Sequence, residues 1–482
     1  MLMVIIAYSA LRFKKFSGKS PLKKAKTPPL GWLTRVFIFG KKSKSTGGGP
    51  GMRILKRSLR YIVIFCGTVA LLTGILVLSA MIPRSAIQKN AEESAQYLCE
   101  KDVFFDMVGG ADGSRIDRYA DSILLAIAYQ YDDERPLDSV MWSAYYFTEY
   151  QNENQNFLDA VTEGCGANKQ YLRYWHGANA IVRPLLTFLN LRQIYLLDGV
   201  VLAVLIVALF VILIKKRAYV SAIAVAAGLI MTAVWFVPFS LEYTWTYILM
   251  LIISVVGVSL AFHNRYKSLG ILFMLSGMVT AYADFLTTET LTLTVPLLLV
   301  LWVAKAWESG AVWKAPLKSA GKWALLWGVG YAGMWAMKWV IASIVLSENV
   351  LPYVSEHIGE RAGISYGIGI FKYIFVGIGK NIRCIFPWEY GVFGVIAGIV
   401  IVGAFAYTVY VYRSKKPDWR SALVFILIGL VPYVRYAVLV NHSYLHYFFT
   451  YRAQMATVVA AVFVLDCLTN RREALHGKRG RA

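Results

Sequence analysis

The sequence predicts an all-α polytopic integral membrane protein with about ten transmembrane helices and a large, mostly helical first extracytoplasmic loop. Hydrophobic residues make up 57% of the 482 residues and charged residues only 16%, whereas soluble domains average about 25% charged residues. Ten apolar stretches approach the roughly 20 residues that a helix needs to cross a hydrocarbon core about 30 Å thick. They lie near 61–82, 194–214, 219–237, 244–262, 268–284, 289–306, 322–345, 391–412, 420–440 and 452–469.

Basic clusters between these stretches indicate the orientation of the chain. Threading the ten stretches brings every cluster to one side, and the positive-inside rule assigns that side to the cytoplasm. The clusters are the N-terminal segment, Lys215–Arg217, Arg265–Lys267, Lys314–Lys322, Arg413–Lys416 and Arg471–Arg481. We therefore expect a multi-pass protein of the bacterial plasma membrane with both termini in the cytoplasm.

This threading divides the chain into five parts. They are a basic cytoplasmic segment (1–60), a first transmembrane helix (61–82), an extracytoplasmic loop module (83–193), nine further helices with an outer loop at 346–390 (194–469), and a basic tail (470–482). The apolar segment Gly363–Gly379 contains five glycines and Lys372, and an eleventh span there would place Arg413–Lys416 outside. We interpret it as an interfacial or re-entrant helix.

The first 51 residues are rich in Lys, Ser, Gly and Pro, and their apolar runs are too short to span a membrane. Met52 follows a glycine-rich stretch whose codons are G-rich, as a bacterial ribosome-binding site would be. Our hypothesis is that translation begins at Met52 and that 1–51 is an artefactual extension. Toeprinting would test it.

The net charge of +22 does not indicate a nucleic-acid partner. Fifteen of the 50 Lys and Arg residues lie in the first 60 positions, where topogenic charge and anionic lipids explain them. The 83–193 loop holds 16 of the 28 acidic residues and 10 basic ones. The sequence does not support nucleotide binding either, because Gly377-Ile378-Gly379-Lys380 lacks Walker A spacing.

Cysteines fall into two groups. Cys66, Cys384 and Cys467 lie in or beside apolar spans and read as small hydrophobic residues. Cys99 and Cys165 both lie in the outer loop, so we predict a disulfide between them.

The first candidate site lies where Arg115–Ser122 leads into an apolar helical stretch. Asp117 and Asp121 are four residues apart and can share one helix face, which is suitable for a catalytic carboxylate. The plain alternative is that Asp121 or Ser122 caps the helix and Asp117 pairs with Arg115 or Arg118.

A second motif, Tyr171–Gly177, precedes Arg183 and the second span. Aromatic and Arg side chains here are typical of an interfacial belt, and the functional alternative is a sugar-stacking platform with a phosphate-binding Arg. Its candidate substrate contacts are Arg173, Trp175, His176 and Arg183.

Ionisable residues also occur at the outer ends of later spans. Glu242 and Asp284 lie at outer junctions, where a carboxylate costs little because water is near. Lys338 and Arg435 lie inside spans, where such residues usually face a cavity or partner, with snorkelling to the headgroups as the alternative.

The last outer turn, Asn441–Arg452, contributes His442, His446 and Arg452 as candidate substrate contacts. His442 and His446 have the spacing of a helical metal pair, but no third ligand is nearby. Hydrogen bonding to a phosphate or hydroxyl is the favoured interpretation. No cofactor is predicted, and a divalent metal is possible but unsupported.

Taken together, a large first outer loop with acidic residues resembles the GT-C class of integral-membrane glycosyltransferases, whose donors are polyprenyl-phosphate sugars. More locally, 52–469 resembles a family of Gram-positive polytopic membrane proteins of uncharacterised activity. The motifs that carry this likeness are Asp117–Ser122, Arg173–Gly177, Asp284–Leu299, Met334–Trp339 and Asn441–Arg452. Glu289-Thr290 departs from the family's Pro-Leu, and no Asp-x-Asp is present.

The resemblance implies transfer of a sugar from a polyprenyl-phosphate donor to a cell-surface glycan or lipid, in the bilayer and without nucleic acid. Asp117 is the first choice for the base and Asp121 the second. Two alternatives stay open: a transporter or flippase for a lipid-linked saccharide, and a non-catalytic assembly protein. Transporters commonly show internal repeats and midplane ionisable groups, and neither is evident here.

Overall fold

A computed structural model describes residues 50–306, 312, 314–362 and 369–469 of the chain. The chain separates into a unit of residues 1–59 and a unit of residues 60–482. Most of the first unit lies outside the described residues, as do the basic tail and the start of Gly363–Gly379. The expectations for 1–49 and 470–482 are therefore not addressed by the structure.

The first part of the fold is one long apolar helix followed by a mostly helical segment, which we call the 84–190 module. A two-stranded antiparallel hairpin pairs Phe104 with Asp117. The elements are α1 (Pro50–Ala80), α2 (Arg84–Cys99), β1 (Phe104–Asp106), β2 (Arg115–Asp117), α3 (Arg118–Gln130), α4 (Pro136–Trp142), α5 (Glu153–Thr162) and α6 (Asn179–Leu186).

The remaining chain is almost entirely helical. Its helices are α7 (Leu191–Lys215), α8 (Tyr219–Met231), α9 (Leu241–Phe262), α10 (Tyr266–Ala283), α11 (Leu291–Ala306), α12 (Pro316–Val345), α13 (Leu351–Ala362), α14 (Ile370–Arg383), α15 (Gly391–Tyr412), α16 (Trp419–Gly429), α17 (Val431–Val438), α18 (Val440–Leu445), α19 (Tyr447–Thr450) and α20 (Met455–Leu468). Short 3-10 turns occupy 112–114, 234–239 and 451–454.

The all-α prediction is confirmed, since helix accounts for most of each of the ten predicted apolar stretches. Within the described residues, seven helical stretches are long and apolar enough to cross a membrane. They are Leu55–Ala80, Leu191–Lys215, Leu241–Phe262, Pro316–Val345, Gly391–Tyr412, Trp419–Val438 and Tyr447–Leu468. Two further apolar helices, α8 and α11, have only 13 and 16 residues. The described part of Gly363–Gly379 belongs to α14, which at 14 residues is shorter than a typical span.

Two hydrophobic cores organise these helices. One is built by α7 to α11 together with α16 and α20, and the other joins the 84–190 module to α1, α10 and α12. The module thus shares its core with the long apolar helices. This arrangement holds its loops against the ends of α9 and α10, where the candidate site lies.

Candidate functional site

A small cavity lies where four of the predicted motifs meet. Its volume is about 60 Å³, which leaves room for a few water molecules or a single hydroxyl-bearing group. Its walls come from the start of α3, the 171–176 loop, the start of α9, the turn after α10 and the α18–α19 region. The lining residues are Asp117, Tyr119, Ala120, Ile123, Leu124, Tyr171, Tyr174, His176, Glu242, Phe285, His442, His446 and Phe449.

Asp117 reaches this cavity because it is the N-cap of α3. One of its oxygens accepts a hydrogen bond of 2.8 Å from the backbone N–H of Ala120. Asp117, rather than Asp121 or Ser122, therefore caps the helix. The predicted ion-pair alternative is wrong, because Arg115 pairs with Asp106 and Asp112 while Arg118 donates to the carbonyls of Tyr97 and Leu98.

A second carboxyl group, that of Glu242, lines the same cavity and lowers the pKa of Asp117 by hydrogen bonding. Two carboxylates only accept, so this hydrogen bond requires that the pair hold a proton. The pKa of Asp117 is raised from 3.8 to about 7, mainly by burial and also by nearby Asp121, while hydrogen bonds from the Ala120 N–H and from Glu242 oppose the rise. Such a pair can take up or release a proton near neutral pH.

A polar network extends from Glu242 into the protein. Thr287 donates its hydroxyl to Glu242 Oε1 at 3.2 Å and its backbone N–H to Asp284 Oδ2 at 3.2 Å. Asp284 also accepts from the Thr246 hydroxyl at 2.7 Å. Asp284 thus fixes the 284–287 turn one layer behind the cavity instead of lining it.

Arg435 holds the same turn from the other side. Its guanidinium donates to Glu289 Oε1 at 2.7 Å and Oε2 at 3.0 Å, and to the Leu286 carbonyl at 2.5 Å. Arg435 and Glu289 are both buried, so the guanidinium is neutralised inside the protein. It does not line the cavity.

Asp121 is fully buried and lies outside the cavity lining. It accepts hydrogen bonds from the Tyr195 hydroxyl at 2.5 Å and from the backbone N–H groups of Leu241 and Glu242 at 3.0 and 3.2 Å. The Ser240 hydroxyl donates at 3.2 Å to Asp121 Oδ1, the oxygen that also accepts from the Glu242 N–H. Burial raises the pKa of Asp121 to about 6. These contacts anchor the start of α9, a position that favours anions, and leave no oxygen facing a substrate.

The 171–177 loop supplies both aromatic walls and its own anchors. Trp175 is fully buried and donates from Nε1 to the Met334 carbonyl at 2.8 Å, so it holds the loop to α12. Its neighbour His176 lines the cavity in the left-handed backbone region, with φ of 52°, and Nε2 lies 3.0 Å from the Tyr171 carbonyl. Burial lowers the pKa of His176 to about 3, so the ring is neutral.

The five predicted cations do not line the cavity. Arg173 stacks on the cavity residue Tyr171, with 4.1 Å between the guanidinium carbon and the ring centroid. Each of the other four is buried and donates to backbone carbonyls, while Arg435 also pairs with Glu289. Their carbonyl acceptors belong to Ala128, Ile82 and Tyr131 for Arg183, to Val140 and Met141 for Lys338, to Leu286 and Thr287 for Arg435, and to Phe448 and Gly113 for Arg452.

The last outer turn provides the predicted imidazoles. The rings of His442 and His446 line the cavity with their centroids 4.8 Å apart, and the His446 ring stacks on Phe449. Among the described residues, no group of three or more His, Cys, Asp or Glu side chains could hold a metal ion. Each neutral imidazole ring carries one hydrogen-bond donor and one acceptor, so the two histidines can hydrogen-bond a group in the cavity.

The predicted disulfide is absent, because Cys99 and Cys165 are both free thiols. Cys99 ends α2 and Cys165 lies in the loop after α5. Sequence reasoning also missed Tyr119, Phe285 and Phe449. Phe285 directly follows Asp284, and aromatic residues beside candidate polar groups were the available signal.

Comparisons with known proteins add no further assignment: no family model matches the chain, and neither a curated protein nor a solved structure resembles it significantly. The function is therefore inferred from the residues that line the cavity.

Proposed function

We propose that the protein is a membrane glycosyltransferase that moves a sugar from a polyprenyl-phosphate donor to a glycan or lipid at the outer face of a bacterial plasma membrane. The observation that carries this proposal is the Asp117–Glu242 carboxyl pair, which faces His442 and His446 across a cavity with aromatic walls. Aromatic faces bind sugar rings, and a carboxylate with a pKa near neutrality is suited to general base catalysis.

The chemistry assigns a distinct task to each group. Asp117 accepts the proton of an acceptor hydroxyl inserted into the cavity, and that oxygen attacks the anomeric carbon of the donor sugar. The bond from the anomeric carbon to the phosphate oxygen breaks, and the polyprenyl phosphate leaves with the electron pair. The proton stays on the Asp117–Glu242 pair until solvent removes it.

Stabilisation of the leaving phosphate falls to His442 and His446, with Arg173 one layer behind Tyr171. The sequence prediction also named Arg183, Lys338, Arg435 and Arg452 as substrate contacts, but these four side chains donate to backbone carbonyls. Because the cavity is small, we place only the reacting hydroxyl inside it and the donor sugar at its aromatic mouth.

Release of polyprenyl phosphate by purified protein in proteoliposomes tests the proposal. The substrates are synthetic polyprenyl-phosphate monosaccharides and a panel of surface glycans. We expect acceptor-dependent release that Asp117→Asn reduces by about 10²-fold or more. Asp133→Asn, a change to an exposed carboxylate of the same module, should leave release unchanged. Equal release by wild type and Asp117→Asn would remove Asp117 as the base. Movement of intact lipid-linked sugar across the vesicle membrane, without release, would instead favour the flippase alternative.

A further inference from the structure

A second and larger cavity lies at the other end of α3. Its volume is about 550 Å³, within the range typical of sites for small ligands. Gln130, the last residue of α3, lines this cavity, whereas Asp117 at the N-cap of α3 lines the first. The helix has 13 residues, so about 20 Å separates its two ends.

The lining combines one aromatic face with hydrogen-bonding side chains. Trp142 is half-buried at the end of α4 and exposes part of its indole to the cavity. Gln130, Asp138, Ser139 and Gln170 supply amide, carboxylate and hydroxyl groups around it. An aromatic platform surrounded by such groups matches a sugar ring, which has apolar C–H faces and a rim of hydroxyls.

One lining group lacks the partner that its burial requires. Gln170 Oε1 is buried and accepts no hydrogen bond from the residues that the structure describes. By contrast, Gln130 Nε2 donates to the Cys165 carbonyl at 2.7 Å. A buried acceptor without a donor is unfavourable by roughly 1–3 kcal/mol, so turning the Gln170 amide toward a ligand hydroxyl in the cavity would be stabilising.

The charge of the cavity decides which saccharide fits. Arg135 pairs with Asp132 at 3.4 Å, while none of the ion pairs found among the described residues includes Asp138. The lining therefore carries a net negative charge, which disfavours phosphates and acidic sugars. A carboxylate such as that of Asp138 instead accepts hydrogen bonds from neutral hydroxyl groups.

We propose that this cavity binds an uncharged saccharide, and that it holds the distal part of the acceptor glycan whose reacting hydroxyl enters the Asp117 cavity. Saccharide binding follows from the cavity itself, whereas the acceptor role rests on the proposed function. Gln170 precedes Tyr171, a wall residue of the first cavity, so one loop joins the two sites. A ligand that occupies both must be an extended oligosaccharide.

An array of defined neutral and acidic oligosaccharides, probed with the labelled protein in detergent, tests the binding. We expect neutral oligosaccharides to bind in preference to acidic ones. Trp142→Ala should weaken the binding of the best neutral oligosaccharide about tenfold, and Trp142→Phe should weaken it less because a ring remains. Gln170→Ala should also weaken it, while Tyr150→Ala, at an exposed aromatic residue outside the cavity, should not.

Monodisperse elution and an unchanged helical circular dichroism spectrum establish that each variant is folded. If Trp142→Ala does not fold, the binding measured for Gln170→Ala decides the test. A preference for acidic oligosaccharides, no binding to the array, or equal affinity in folded Gln170→Ala and wild type would overturn the proposal.

Asp117→Asn separates this inference from the proposed function. It should abolish sugar transfer, whereas the binding of neutral oligosaccharides should still depend on Trp142. If the wild-type protein binds saccharide through Trp142 but has no transfer activity, the proposed saccharide site stands and the proposed glycosyltransferase activity is wrong. If the protein transfers sugar but binds no saccharide through Trp142, the glycosyltransferase activity stands and the saccharide site is wrong.

Discussion

At the scale of single residues, the proposed reaction depends on the ionisation of Asp117. Its raised pKa follows from burial and from the nearby carboxylate of Asp121, and a proton held between Asp117 and Glu242 lets the pair stay in a water-poor site. A base must be ionised to act. The Asp117 carboxyl group is protonated below its pKa of about 7 and ionised above it.

Transfer activity should therefore rise with pH, with an apparent midpoint near 7 that belongs to the coupled pair. Glu242→Gln should retain activity and move this midpoint to higher pH, because the Glu242 carboxyl group lowers the pKa of Asp117 by hydrogen bonding and a Gln amide is the weaker donor. Asp117→Asn should lack the rise altogether. The measurement is kcat/KM for polyprenyl-phosphate release between pH 5 and 9. If the midpoint is the same in Glu242→Gln and wild type, Glu242 does not influence the ionisation of the catalytic base.

The sequence identified Asp117, His176, Glu242, His442 and His446, all of which reach the cavity, because acids and imidazoles beside apolar helices are few. The sequence could not show which of the cationic side chains face the cavity and which donate to backbone carbonyls. Lys338, for example, donates to the Val140 and Met141 carbonyls at the end of α4, and no sequence pattern reveals which carbonyls a distant helix end will present. The disulfide between Cys99 and Cys165 failed for a similar reason, since pairing depends on a distance that spacing does not give.

At the scale of helices, the hydrophobic stretches of the sequence located the longest helices, but the breaks inside these stretches were not predictable. The stretch 219–237 is helical only to Met231 and continues as a 3-10 turn from Val234. Pro238 lacks the N–H that a continuing helix would need. This break lets the chain turn before α9, and it places Ser240 and Glu242 against Asp121 and Asp117.

The crossing of α10 and α12 depends on two glycines. A Cβ at Gly277 would clash with the Trp327 carbonyl, and one at Gly330 would clash with the Met274 carbonyl. Small residues allow this close approach of helix backbones in membranes. The crossing also positions the turn after α10, which carries Phe285.

Gly277→Ala and Gly330→Ala should each destabilise the protein by about 1–3 kcal/mol through overpacking at the backbone. Gly328→Ala is the matched control: it lies on the same helix as Gly330, a Cβ there meets no atom within 4 Å, and Ala favours helix over Gly. Thermal unfolding in detergent should show lower midpoints for the first two variants and an equal or higher midpoint for the control. Equal midpoints for Gly330→Ala and Gly328→Ala would show that the helices do not cross there.

At the scale of the whole molecule, the proposal requires one topology. The 84–190 module, both cavities, the α10–α11 connection that carries Phe285, and helix α13 must share the outer side. The α7–α8, α9–α10 and α15–α16 connections must then share the cytoplasmic side, which requires the intervening helices to cross the membrane. The basic residues at these connections give the sequence-based orientation. A cytoplasmic module would have no access to a polyprenyl-phosphate donor displayed outside.

Single cysteines in a background without the five native thiols test this topology. Positions 89, 150 and 356 are exposed and belong to the module or to α13, so they should react with an impermeant maleimide in intact cells. Positions 216, 265 and 415 are also exposed but lie at basic connections, so they should react only after the membrane is permeabilised. Because all six positions are exposed, a difference in labelling between the two sets reports the side of the membrane and not burial within the protein. Labelling at 216 and 415 but not at 89 and 150 in intact cells would invert the orientation and rule out a site that acts at the outer face.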